Sequence, residues 1–193
     1  MGLLDALLGR SKPAAANLDH LFGLPGARIT LDAAESLMPT GQAGICFKPA
    51  VGQAFDKTAT EFEDLLSLDT SEGSARVSDA DEYGYRWVVV TGTDFDALVT
   101  RVHLVNATLK DHGYDSQLLC SAFGFAPKET PPPPATTYLV YLYKRGTFYP
   151  FVPSGPERRD NEAELRISAA VTEDLAIEKD LDQWFPIWGL PVH

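Results

Sequence analysis

The amino-acid sequence predicts an α+β fold in a single domain, with a mainly antiparallel sheet of five or six strands and helices packed against it. Its length of 193 residues suits one domain, and a content of 45% hydrophobic and 22% charged residues is ordinary for a globular protein. Segments rich in valine and aromatic residues, typical of strands, alternate with segments whose apolar residues recur every three or four positions, typical of helices. Several predicted strands are joined by turn-forming residues, which favours hairpins and antiparallel pairing.

The net negative charge of the chain argues against two classes of binding partner, nucleic acids and anionic lipids. Its 16 lysines and arginines stand against 27 aspartates and glutamates, a formal net charge of −11. Nucleic acids bind proteins through cations that neutralise phosphates, so we expect no nucleic-acid binding. The same charge disfavours purely electrostatic attachment to anionic lipid. The sequence has neither a signal-peptide pattern nor the run of about 18 apolar residues that a spanning helix needs, and we therefore expect a cytoplasmic protein.

The first 13 residues, MGLLDALLGRSKP, predict a short amphipathic helix that ends at Pro13. A helix this short is not stable alone, so it must dock on its own domain, on a partner protein or on a membrane interface. We predict that its apolar stripe contributes to partner or membrane binding, and that any lipid attachment is weak. The stripe consists of Leu3, Leu4, Leu7 and Leu8.

The α+β domain is predicted to span residues 17–178, and its first part predicts two helices around a strand. LDHLFGLP is typical of a short helix that is capped by Asn17 and ends at its glycine and proline. ARITLDAAESL, which follows, is compatible with either a strand or a short helix. GQAGICFK predicts a strand, and QAFDKTATEFEDLLSL predicts a helix because its apolar residues have helical spacing.

A hairpin and the clearest helix are predicted next. The hairpin joins Ala75–Ser78 to Tyr85–Thr91, whose β-branched and aromatic residues suit a sheet. TDFDALVTRVHLVNATLKDHG carries one apolar stripe and predicts a helix that is capped by Thr93 and ends at Gly113. Asn106 falls inside that stripe, where we expect its amide to bond a nearby backbone group.

Two more strand regions follow the helix. QLLCSAFGFA predicts a strand with two different faces, and we expect a helix to pack against the face of small side chains. The proline run in PKETPPPPATT predicts an extended loop. Tyr138–Tyr143 is apolar on both faces and predicts a central strand. A turn with Gly146 at positive φ then leads into Thr147–Phe151, which Pro150 restricts to an edge or a bulge.

The last predicted elements are a helix and an aromatic tail. Ser154 and Glu157 have the spacing of a capping box, which predicts a helix with a solvated, charged start in ERRDNEAE. The C-terminal segment, residues 179–193, contains LDQWFPIWGLPVH, whose aromatic side chains are costly to expose. The segment is therefore expected either to fold back onto the domain or to bind a partner.

Motifs of catalysis are lacking in the sequence. The two cysteines, Cys46 and Cys120, lie in apolar runs and are expected to be reduced and buried, although a disulfide is also possible. The four histidines are scattered and form no zinc motif, and a pairing of His103 with Cys120 has no local support. There is no nucleophile elbow and no phosphate loop. We therefore expect no enzymatic activity, no metal and no cofactor.

The stretch YLYKRGTFYPF has two interpretations. It can be a structural hairpin, with aromatic rings inside and hydroxyls bonded at the periphery. It can also be a surface for an acidic or aromatic partner. The possible partner surface comprises Tyr143, Lys144, Arg145 and Phe148, together with Trp184 and Trp188 of the C-terminal segment.

Several stretches of the chain resemble the PspA-associated protein PspAB family of bacterial phage-shock envelope-stress systems. The resemblance lies in MGLLDALLGRSKP, NLDHLFGLP, VHLVNATLKDHGY, QLLCSAFGF, YLVYLYKRGTFYPFVPSGPERRDNEAEL and DQWFPIWGLP, and covers nearly the whole chain. The resemblance implies a cytoplasmic protein whose partner is PspA or another envelope-stress component. PspA itself is a peripheral membrane protein. The resemblance implies no catalytic residues.

The leading functional hypothesis is a non-catalytic adaptor or regulator in envelope stress, peripheral at the inner face of the cell membrane. One alternative is a chaperone-like module that holds a peptide of a partner protein in an exposed aromatic groove near Tyr143, Phe148 and Trp184. The other is an enzyme, which would need a deep pocket with a strongly perturbed histidine or carboxylate.

Overall fold

The computed structural model describes residues 17–49, 74–81, 84–129 and 136–193. The predicted helix of residues 1–13, the predicted helix QAFDKTATEFEDLLSL and the four consecutive prolines lie outside these residues.

The described ranges form a sheet covered by helices. The α-helices are α1 (Leu24–Glu35), α2 (Phe95–Leu109) and α3 (Asn161–Ala170), and a 3-10 helix, Leu18–Gly23, runs directly into α1. The main sheet is six-stranded and antiparallel, in the order β2-β3-β1-β4-β5-β6. The prediction of an α+β fold with an antiparallel sheet is therefore confirmed. The strands are β1 (Leu37–Phe47), β2 (Ala75–Val77), β3 (Arg86–Thr91), β4 (Leu118–Pro127), β5 (Thr137–Leu142) and β6 (Thr147–Phe151), and a separate hairpin pairs β7 (Pro153–Gly155) with β8 (Arg158–Arg159).

The two faces of the main sheet carry separate apolar cores. The helix-side core joins the three helices to the sheet and includes Leu31, Val99, Phe123, Tyr141 and Ile167. The segment-side core lies on the opposite face, where the C-terminal segment covers the strands. Its members include Trp87, Val140, Tyr149, Trp184 and Val192.

The first helical region is longer than the sequence predicts. The short helix was expected to end at Gly23 to Pro25, but the chain continues into α1 because Pro25 lies in its first turn. Proline is tolerated there, since the amide it lacks has no partner within the helix. α1 ends at Ser36, which adopts a left-handed conformation with φ 54°. Of the two structures that the sequence ARITLDAAESL allows, a strand or a short helix, the protein therefore forms the helix.

α2 begins one residue later than predicted. Its cap is Asp94, not Thr93, and the Asp94 carboxylate accepts a 2.7 Å hydrogen bond from the Ala97 amide. The prediction for Asn106 is confirmed, because its side chain donates to the Val102 carbonyl at 2.9 Å. The same amide donates to the Ser121 hydroxyl at 3.0 Å and so links α2 to β4.

The face of β4 that a helix covers was predicted incorrectly. The large side chains of Phe123 and Phe125 meet Phe95 of α2 edge to face, with centroid distances of 6.2 and 5.7 Å. The small side chains face the C-terminal segment instead. Gly44 lies opposite Ala122, and a Cβ on Gly44 would stand 2.9 Å from the Val192 side chain. The small residues therefore make room for the end of the chain.

The start of the last helix was also predicted incorrectly. Ser154 and Glu157 form no capping box, because the chain makes the β7–β8 hairpin there and Glu157 has φ 48°. α3 begins after Asp160, whose carboxylate accepts a 3.0 Å hydrogen bond from Ala163. Asp160, which lies next to the helix, therefore caps it in place of the predicted Ser154.

The strand pair around the aromatic block agrees with prediction. β5 pairs with β4 on one side and β6 on the other, and Gly146 in the turn has φ 67°. β6, which contains Pro150, is the last strand of the sheet, as the missing proline amide requires. Beyond β6 the chain returns after α3 and makes a short parallel bridge between Phe148 and Ile177.

Candidate functional site

The aromatic block is built as a structural hairpin. All four tyrosine hydroxyls in residues 138–151 donate hydrogen bonds, so the rings are buried while each polar tip is satisfied. Burial raises the pKa of Tyr141 to about 12, so this phenol remains a neutral donor at physiological pH. The acceptors lie outside the block: Tyr138 donates to the Val192 carbonyl, Tyr141 to the Asn17 carbonyl, Tyr143 to the Asp115 carboxylate and Tyr149 to the Phe185 carbonyl, at 2.7–3.0 Å.

The structure separates the six residues of the predicted partner surface into two groups. Tyr143, Phe148 and Trp184 have only 2%, 0% and 7% of their surface exposed. The exposed aromatic groove near these three rings, on which the chaperone-like alternative depended, is therefore not formed. Lys144, Arg145 and Trp188 lie at the surface, where Trp188 is 38% exposed.

Arg145 is engaged by the protein itself. Its guanidinium makes a bidentate ion pair with Glu178, whose carboxylate also accepts hydrogen bonds from the Thr147 hydroxyl at 2.7 Å and the Asp180 amide at 3.0 Å. These contacts, the Arg145 hydrogen bonds foremost, lower the pKa of Glu178 to about 2. The pair fixes the β5–β6 turn to Glu178, the residue just before the C-terminal segment, so Arg145 has a structural role.

The depressed pKa of Glu178 predicts acid sensitivity. A carboxylate with a lowered pKa in the folded protein contributes stability above its ordinary pKa of 4.5 and loses that contribution as the pH falls toward 2. Substituting Glu178→Gln should therefore flatten the stability profile between these pH values. Urea unfolding of both proteins across this range measures the effect, and parallel profiles for wild type and variant would contradict it.

A second ion pair, Arg159 with Glu164, anchors the C-terminal segment. The two side chains are 20% and 2% exposed, and the Arg159 Nε lies 2.9 Å from the Glu164 carboxylate. Arg159 also donates to the Trp184 carbonyl at 2.6 Å, and Glu164 accepts from the Val152 amide at 2.9 Å. The solvated charges predicted for ERRDNEAE thus include a buried pair, which holds the β7–β8 hairpin, α3 and the segment together.

A cavity of about 830 Å³ opens between the sheet and the C-terminal segment. Its volume is within the range of small-molecule pockets, and most of its wall is apolar and aromatic. Strand residues on its floor include Cys46, Trp87, Cys120 and Tyr149; the C-terminal segment contributes Phe185, Pro186, Ile187 and Trp188, and Asp81 and Lys144 supply charge.

The floor of this cavity brings the two cysteines together. Cys46 on β1 lies directly opposite Cys120 on β4 in the antiparallel register, and both are free thiols. A hydrogen bond with Cys120, burial and the Asp81 carboxylate raise the pKa of the Cys46 thiol well above its usual range. The sequence placed both cysteines in apolar strands but could not show that they are neighbours.

His103 lies far from this dithiol in the fold. It projects from α2 on the other side of the sheet, where its Nε2 is 3.6 Å from Asp19 and its ring packs at a tilt against Phe22, with the ring centroids 4.9 Å apart. It therefore forms no pair with Cys120. Within the described ranges, no group of three or more histidine, cysteine, aspartate or glutamate residues could hold a metal ion.

Comparisons with known proteins identify the family. In the part of the chain that the structure covers, no helix has the length and apolarity to cross a membrane. Searches of curated proteins and of solved structures found no match to this chain. The model of one family, PspAB or PspA associated protein B, matches residues 1–192. Since the match spans almost every residue, the chain belongs to the PspAB family.

Proposed function

We propose that this protein is a non-catalytic adaptor or regulator that associates with PspA in a bacterial phage-shock system. The family name itself denotes association with PspA. The observation that carries the finer proposal is a pair of exposed aromatic side chains, Phe185 and Trp188, at 54% and 38% exposure, on an anchored part of the C-terminal segment. Exposed aromatic side chains are costly in water and frequently act as binding anchors.

A hydrogen bond and a ring contact hold the chain around these side chains against the sheet. Tyr149 donates to the Phe185 carbonyl at 2.8 Å, and Trp188 packs edge to face on Phe151 at 5.1 Å. Lys144 lines the same cavity rim and could meet an acidic group of the partner. Because the backbone is already held in place, a partner that covers this surface loses little affinity to ordering it.

A non-catalytic role is consistent with the chemistry of the cavity. Its floor carries thiols rather than a histidine or a metal site, and the raised pKa of Cys46 keeps that sulfur neutral and weakly nucleophilic. We place the protein in the cytoplasm, peripheral at the inner face of the membrane through PspA, with the apolar stripe of residues 1–13 as a second contact to PspA or lipid.

The proposal is tested by binding to immobilised PspA. Combining Phe185→Ala with Trp188→Ala should weaken binding about tenfold or more, since central aromatic anchors commonly contribute over 1–2 kcal/mol. The matched control combines Ile29→Ala with Leu104→Ala, two exposed apolar residues of α1 and α2 on the other side of the sheet. Equal binding by the two double variants would contradict the proposed surface.

A further arm uses a chain that lacks residues 1–12. It should retain the fold, measured by circular dichroism, and bind PspA or liposomes more weakly in pull-down and flotation assays. Unchanged association in both assays would exclude the N-terminal stripe from the interface and leave the Phe185–Trp188 surface as the contact.

A further inference from the structure

The two cysteines are positioned for a covalent link. Directly opposed residues of antiparallel strands have Cα atoms about 4.5–5.5 Å apart and side chains on the same face. Disulfides form between Cα atoms separated by about 4.4–6.8 Å. Cys46 and Cys120 occupy such a pair, and both line the same cavity.

The two sulfurs differ in their exposure to reagents. Both line the cavity, but Cys46 is buried whereas Cys120 is only half-buried. A molecule that enters the cavity therefore meets Cys120 first. The raised pKa of Cys46 reinforces the difference, since the thiolate is the reactive form of a cysteine.

We propose that Cys46 and Cys120 form a thiol-modification site. Small-molecule disulfides such as glutathione disulfide react there and convert the two thiols to an intramolecular disulfide. In the first step the Cys120 thiol loses its proton to solvent, and its thiolate attacks one sulfur of the small disulfide. A bond forms between Cys120 and that sulfur, and the other half leaves as a thiolate that takes up a proton. The product is a mixed disulfide in the cavity.

The second step closes the protein disulfide. Cys46 loses its proton, attacks the Cys120 sulfur and expels the remaining half of the reagent, which takes up a proton. One protein dithiol and one small disulfide thus give one protein disulfide and two small thiols, so the protein is oxidised by two electrons and the reagent reduced by two. Because Cys46 lies directly opposite Cys120 on the neighbouring strand, this second step needs no change in strand pairing.

Intact-mass spectrometry of the folded full-length protein incubated with glutathione disulfide tests this site. The wild type should end as a monomer that is two hydrogens lighter and keeps no glutathione. Cys46→Ala should stop at a stable glutathione adduct on Cys120, because no second thiol is present. Cys120→Ala should form an adduct about tenfold or more slowly than Cys46→Ala, because only the buried thiol remains.

Alanine is chosen because a buried free cysteine packs as a small apolar residue, and circular dichroism checks that each variant is folded. Repetition in urea supplies an internal control, since both single variants should then react at similar rates. A wild type that retains glutathione, or that forms only disulfide-linked dimers, would overturn the proposal. Equal rates for the two folded variants would overturn the order of attack. The test uses no PspA, so its outcome is separate from that of the proposed function.

Discussion

Substituting Glu164 with alanine is expected to lower the free energy of unfolding by about 3–5 kcal/mol, the usual cost of removing one partner from a buried ion pair. The substitution leaves the Arg159 guanidinium, whose side chain is only 20% exposed, without its anionic partner. It also leaves the Val152 amide without the acceptor that lies 2.9 Å away. The contact from Arg159 to the Trp184 carbonyl should weaken in turn, because the pair holds the guanidinium in place.

Urea-induced unfolding followed by tryptophan fluorescence measures this effect. Glu162→Ala is the matched control, because Glu162 lies in the same first turn of α3 but is exposed. Its substitution should change the free energy of unfolding by no more than about 0.5 kcal/mol. A loss for Glu164→Ala as small as that of the control would show that the ion pair does not anchor this region.

Substituting Trp184 with alanine is expected to be similarly costly, at about 3–5 kcal/mol, as for other large buried aromatic side chains. Trp184 stacks on Tyr149 with a centroid distance of 6.0 Å, and its indole N–H donates to the Glu178 carbonyl at 3.0 Å. Removal of the ring leaves a void between the sheet and the C-terminal segment. We therefore expect residues 184–193 to detach from the sheet before the rest of the protein unfolds.

Two measurements separate local detachment from global instability. Limited proteolysis should cleave the C-terminal segment of Trp184→Ala under conditions in which the wild type is resistant, and a hydrophobic dye should bind the uncovered face of the sheet. Phe185→Ala serves as control, because that neighbouring side chain is 54% exposed and should be replaceable at little cost. The prediction fails if both variants resist the protease as the wild type does.

Much of the fold follows from local patterns in the sequence. The stripe of α2, the Tyr85–Thr91 strand and the edge position of Pro150 were predictable, because periodicity and proline chemistry depend only on nearby residues. The errors share a physical cause. Periodicity shows which residues of β4 share a face but not what covers it, and that depends on where the end of the chain packs.

The candidate site was less predictable for the same reason. Cys46 and Cys120 become neighbours only through the pairing of β1 with β4, and no local pattern specifies that register. The sequence around Glu164 and Arg159 has the composition of a solvated helix start, so it predicts surface charges. In the structure Arg159 lies on β8 and Glu164 on α3, and the two side chains pair with each other at 20% and 2% exposure. The sequence predicts that the tryptophans of the C-terminal segment are costly to expose, but only the structure shows that Trp184 is buried and that Trp188 is 38% exposed.

The chain that returns beside β6 shields part of this outer strand. The Phe148 amide donates to the Ala176 carbonyl at 2.8 Å, and the Phe148 carbonyl accepts from the Glu178 amide at 2.7 Å. Outer strands with free backbone groups invite pairing with other chains and, in the extreme, amyloid growth. Here those groups are occupied by the protein's own backbone, and Pro150 offers no donor two residues further on. A foreign peptide consequently finds no free backbone donor or acceptor at Phe148, and no donor at Pro150, with which to extend the sheet along this stretch.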